Sequence, residues 1–129
     1  MKKIITTLNA PAPIGPYNQA VLANGTLYIS GQIGLNPSTM ELVKGGIEKE
    51  AEQVMENLKS VLKAADLDFD DVVKSSIFLA DMDDFGRVNG IYGRYFDDET
   101  APARETVAVK TLPKNVRVEI SMIAIKEQL

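Results

Sequence analysis

One stripe of apolar residues constrains the architecture of this chain more than any other feature. Ile47, Ala51, Val54, Met55, Leu58, Val61, Leu62 and Ala65 recur at i, i+4, i+7, i+8, i+11, i+14, i+15 and i+18. That is the 3.6-residue period of a single helix face. Glu48, Lys49, Glu50, Glu52, Glu56, Lys59 and Lys63 fall between them and read as the wet face. A helix with one apolar stripe must bury it against a second layer, so the rest of the chain has to supply a surface.

That surface reads as a sheet. Tyr17–Ala23 and Thr26–Ile33 flank Asn24-Gly25, the strongest two-residue turn signal, and predict a hairpin. Residues 10–16, Ala-Pro-Ala-Pro-Ile-Gly-Pro, form a stiff extended lead-in. Residues 34–46 carry Gly34, Asn36-Pro37 and Gly45-Gly46 and read as loop. Asp66, Asp68, Asp70 and Asp71 lack the glycine and closing glutamate of a calcium loop, so they read as a solvated turn. Val72–Leu79 is rich in branched residues and predicts a strand. A second helix is expected from Asp83 or Asp84 to Phe96, with Asp81, Asp83 and Asp84 at its N-terminus. Gly86, Gly90 and Gly93 lie inside it and cost about 1 kcal/mol each, so it needs tertiary packing. Arg104–Thr111 and Val116–Ile125, joined by Leu112-Pro113-Lys114-Asn115, read as two closing strands. The order predicts an α+β fold in one domain, residues 1–129: one mixed sheet with two helices on one face. Ile123, Ile125 and Val107 or Val109 are left on the far face, which calls for cover from another subunit.

The chain contains no cysteine and no histidine. Disulfides, zinc fingers, iron–sulfur clusters, cysteine nucleophiles and histidine triads are all excluded. Acid–base work falls to Asp, Glu, Lys, Tyr or water, and a transition-metal site would have to be all-carboxylate. Fourteen Lys and Arg against 18 Asp and Glu give a net charge of −4, which argues against nucleic acid and anionic membrane as partners. No apolar run approaches the roughly 18 residues of a membrane span, and no export signal is visible, so the expected location is cytoplasmic.

Three residues stand out against this background. Glu119 lies between Val118 and Ile120 in a strongly apolar strand; it is either a carboxylate paired across the sheet or a functional group. Arg104 follows Ala101-Pro102-Ala103 and is either a surface arginine or an anion clamp. Tyr17 follows Gly15-Pro16 and equally suits a core-edge aromatic. Together, arginine and glutamate would suit a small carboxylate substrate. The guanidinium clamps the carboxylate, and the glutamate orients water or carries a proton.

Several blocks resemble a known family. Ile14-Gly15-Pro16-Tyr17, Ser30-Gly31-Gln32, Asp83-Asp84-Phe85 and Asn89 with Tyr92 are the first. The closing motif is Pro102-Ala103-Arg104-Glu105-Thr106-Val107, then Leu112-Pro113, Val118-Glu119-Ile120 and Ala124. These are similar to the Rid family, also called YjgF, the reactive-intermediate enamine and imine deaminases, and closest to its RidA type. The resemblance implies a chorismate-mutase-like sandwich, assembled as a homotrimer with clefts between subunits. It implies hydrolysis of 2-enamines and 2-imines, such as 2-aminoacrylate, to 2-oxo acids and ammonia. A functional link to pyridoxal-phosphate-dependent serine and threonine dehydratases follows, and no cofactor or metal is expected. By the same resemblance Arg104 holds the substrate carboxylate and Glu119 places the attacking water. Tyr17, Ser30, Gly31, Asn89 and Thr106 line the cleft. Thr106 stands where the family often has cysteine, and Glu105 where a small residue is usual.

A simple closing hairpin would set Ala108 opposite Glu119, leaving Arg104 four residues away, about 13 Å along the strand. The expected site is therefore completed across a subunit interface. The competing reading is a trimeric module that binds 2-oxo or amino acids without turnover. Ribonuclease and chaperone roles ascribed to family members fit poorly with an acidic, histidine-free chain.

Overall fold

A computed structural model describes residues 1–127. Six strands form one mixed sheet: β1 (Lys2–Ile5), β2 (Ala20–Ala23), β3 (Thr26–Gln32), β4 (Val72–Leu79), β5 (Ala103–Ala108) and β6 (Val118–Ile125). Helices α1 (Ile47–Ala64) and α2 (Phe85–Tyr92) pack on one face. The α+β fold with two helices on one face is as the sequence predicts. Strand β1 is an addition: its Lys2-Lys3 pair lies on a short, mostly exposed edge strand, the composition that protects an edge from mispairing.

The β2–β3 hairpin closes through Asn24 at φ 50° and Gly25 at φ 77°, the two left-handed positions of its tight turn. The expected first strand is shorter than predicted and starts only at Ala20. The acidic run after α1 is a structural cap. Asp68 accepts from the Asp70 N–H at 2.9 Å, and Asp71 accepts from the Asp68 N–H at 3.0 Å. The second helix is a regular α-helix only over Phe85–Tyr92, with tight 3₁₀ turns at Met82–Asp84 and Gly93–Tyr95.

The strand order is β1-β2-β3-β6-β4-β5. This overturns the closing hairpin. β5 pairs with β4 in parallel, and β6 pairs antiparallel with both β3 and β4. The physical reason lies in the side chains. β6 is buried or half-buried at every position but its last, as suits a strand with a neighbour on each side, whereas β5 carries Arg104 and Glu105, is largely exposed and takes the edge.

The core lies between the helices and the sheet. Val54, Leu58, Val61 and Leu62 of α1 are fully buried with Leu27, Leu79, Val118 and Ile120 of the strands. The helix stripe is thus as read. Its wet face departs from the reading at one residue, since Glu50 is only 3% exposed; Asn57, outside that reading, is fully buried. Among the described residues no helix is long and apolar enough to cross a membrane. Replacing Leu58 with Ala removes a wholly buried side chain from the helix–sheet seam. A loss of about 2–5 kcal/mol is expected, read as a lowered urea midpoint at fixed protein concentration.

Candidate functional site

β4 fixes where the side chains of its two neighbours go. Arg104 stands opposite Ser75, and Glu119 stands opposite Phe78. Three positions along an uninterrupted strand is an odd step, so the two side chains leave opposite faces of the sheet. They are also about 10 Å apart along the strand and two strand spacings, about 10 Å, across it. Ala108 stands opposite Leu79 rather than opposite Glu119. One chain therefore carries two separate half-sites.

The first half-site lies on the helix face at the sheet edge. Arg104 Nη1 donates to Asn89 Oδ1 at 2.8 Å. Its guanidinium carbon lies 5.0 Å from the Tyr92 ring centroid and 5.8 Å from that of Phe85. Tyr92 is itself fixed, donating its hydroxyl to Ser75 Oγ at 2.9 Å. Burial holds the Tyr92 phenol above its ordinary range, with the Ser75 hydrogen bond and Arg104 opposing. Among the described residues no carboxylate comes within salt-bridge distance of Arg104. Thr106, two residues along the same face, has a buried hydroxyl with no hydrogen-bond partner among the described residues.

Glu105 leaves β5 on the other face and does not compete for Arg104. It pairs with Lys74 at 2.8 Å and accepts from the Ser76 hydroxyl. Lys74 first, and Ser76 second, hold its carboxyl below the usual range.

The second half-site lies on the far face. Tyr17, Gly31, Ile33, Pro113 and Glu119 line one cleft there. Gly31 is needed by proximity: a Cβ at this position would lie 2.5 Å from Glu119 Oε2. Burial pushes the Glu119 carboxyl above the ordinary glutamate range. The Tyr17 hydroxyl accepts from the Ile14 N–H at 3.4 Å. Ser30 does not reach the cleft wall; its hydroxyl donates to the Asn18 carbonyl at 2.6 Å, beside Tyr17.

Sequence reasoning missed three buried polar side chains that hold these walls. Gln19 accepts from the Thr7 N–H at 2.7 Å and faces the carbonyls of Thr7, Ala10 and Pro11, tying down the proline-rich lead-in. Asn57 donates to the Ile33 and Leu35 carbonyls at 3.1 and 3.0 Å. Glu50 accepts from the backbone at the start of β6. The available signal was weak: each is a polar residue at the margin of an apolar run.

A family profile described as Endoribonuclease L-PSP matches residues 7–126. A Yersinia pestis structure described as YyfA, of the conserved Rid protein family, superposes with a TM-score of 0.93 at 47% identity, covering 97% of this chain and 99% of that one. The chain belongs to the Rid (YjgF) family. A mouse relative named 2-iminobutanoate/2-iminopropanoate deaminase is 52% identical over 126 residues, 98% of this Rid chain and 93% of that protein. The Escherichia coli TdcF crystal structure, with bound serine, superposes with a TM-score of 0.91 at 38% identity, covering 97% and 99%.

The raised Glu119 carboxyl carries a stability consequence. Its folded value lies above its unfolded one, so its contribution is present at low pH and is lost as pH rises through the folded value. Glu119→Gln removes that loss. The variant is expected to match wild type near pH 4, about where a free glutamate titrates, and to show the higher urea midpoint at pH 7.

Proposed function

We propose that this Rid protein hydrolyses small carboxylate-bearing enamines and imines, such as 2-aminoacrylate, to 2-oxo acids and ammonia. The work is done without cofactor or metal, at clefts shared between subunits of a homotrimer. The observation that carries this reading is the Arg104 guanidinium. It is held by two rings and one amide, with no carboxylate in salt-bridge range among the described residues. Its remaining N–H donors match a carboxylate bidentately. Thr106 offers a second donor on the same face.

Glu119 serves a different copy's Arg104, because its own lies on the opposite face. The far face supports such assembly: Tyr28, Val107 and Ile125 are all exposed on it. The enamine gains a proton on carbon and loses one from nitrogen, giving the imine. Water adds to the imine carbon while its proton passes to the Glu119 carboxylate and the nitrogen takes up a proton. The carbinolamine then collapses: the hydroxyl proton leaves, the C–N bond breaks, and Glu119 returns its proton to the departing ammonia. A carboxyl raised by burial suits this exchange, and positioning supplies most of the remaining help. Tyr17 and Gly31 shape the water-side wall, Ser30 braces the Asn18 backbone beside Tyr17, and Asn89 steadies the arginine.

A non-catalytic reading also has support, since TdcF held serine in its crystal. The ribonuclease reading suggested by the profile's description meets a net charge of −4 and a chain without histidine. The deciding experiment mixes the protein with a serine or threonine dehydratase. Semicarbazide traps the surviving imine while 2-oxo acid release is followed. Wild type should speed release and lower trapping, and Arg104→Ala should lose about 100-fold in kcat/KM. Unchanged release with wild type favours the binding module.

Sharing of the site is tested by mixing. Arg104→Ala and Glu119→Gln proteins are each expected to be inactive. Co-assembled, they should regain about a quarter of the sites by random placement around a closed ring. No recovery in verified mixed oligomers would place both residues' work within one subunit.

A further inference from the structure

Glu119 sits one residue beyond Val118, the first residue of β6. The last registered pair between β3 and β6 is Gln32 with Ile120, so β3 gives no partner to the chain before it. A buried carboxylate enters there. Glu50 Oε2 accepts from the Arg117 N–H at 2.7 Å and from the Val118 N–H at 3.1 Å. Gly34 closes over it so tightly that a Cβ would lie 2.8 Å from Glu50 Cγ. The Arg117 side chain is pinned separately, with Nη2 and Nε 2.7 and 3.2 Å from the buried Asp84 carboxylate. Two helical turns after Glu50, Asn57 holds the facing wall of the same cleft through the Ile33 and Leu35 carbonyls.

We propose that Glu50 is a positioning residue for the reaction: its carboxylate sets the backbone that aims Glu119 into the cleft. This rests on the functional reading above, in which Glu119 places water. Glu50 does not touch the Arg104 half-site, so substrate binding through Arg104 is independent of it. A carboxylate displaced by about 1 Å loses much of its effect on the reaction, whereas an intact arginine clamp keeps KM.

The test combines crystal structures of wild type and Glu50→Ala with kcat and KM for imine hydrolysis, corrected for folded fraction. In Glu50→Ala the Glu119 carboxylate should move by about 1 Å or more. The same variant should lose about tenfold in kcat, with KM within about twofold. Glu50→Gln keeps an acceptor oxygen and should recover most of kcat. If Glu50→Ala does not fold, Glu50→Asp withdraws the carboxylate by one methylene and gives the same readouts. A folded variant with Glu119 unmoved and wild-type kcat overturns the proposal. If wild type itself turns over no imine, the functional reading fails on its own. Movement of Glu119 in the variant structure then still supports the positioning role of Glu50, and an unmoved Glu119 overturns it.

Discussion

β6 occupies the slot between β3 and β4, and every other feature of the site depends on that insertion. β3 and β4 run parallel to one another, with one antiparallel strand filling the gap between them. β5 is thereby pushed to the edge, where its side chains border α2 rather than another strand. The pleat does the rest. Because β4 registers both neighbours, it sends Arg104 to the helix layer and Glu119 to the uncovered layer.

α1 is more than a cover for the core. Its stripe buries against the sheet, while Glu50, Gln53 and Asn57 run along one margin of that stripe. Gln53 donates to Asn57 at 2.8 Å, and Asn57 and Glu50 reach backbone on either side of the Glu119 cleft. Buried polar groups of this kind are tolerable only when each finds a partner. Here the partners are backbone groups left without strand neighbours at the end of the sheet. The helix thus supplies what the missing sheet would have given.

Local features were legible in the sequence, and long-range ones were not. The α1 stripe, the Asn24-Gly25 turn and β4 follow from periodicity and turn chemistry within a few residues. The separation of β5 from β6 does not, because a short connection favours the hairpin reading and only the greater apolar content of β6 speaks against it. Glu50 was misread because a helical wheel assigns faces by residue type, and a glutamate with two backbone donors waiting for it looks like any other. Arg104 and Glu119 stood out as charges in apolar company, but resemblance to the Rid family singled them out from ordinary strand charges. Their placement on opposite faces required the register of a strand that is adjacent to neither in sequence.

The opposite-face arrangement has a consequence for how such a protein behaves in dilute solution. A lone chain, however well folded, presents an arginine in one place and a glutamate in another, with a sheet between them. In the proposed reading, turnover per molecule is then a steep function of abundance. Newly made chains are silent until they meet, and dilution below the assembly constant acts as an inhibitor by mass action.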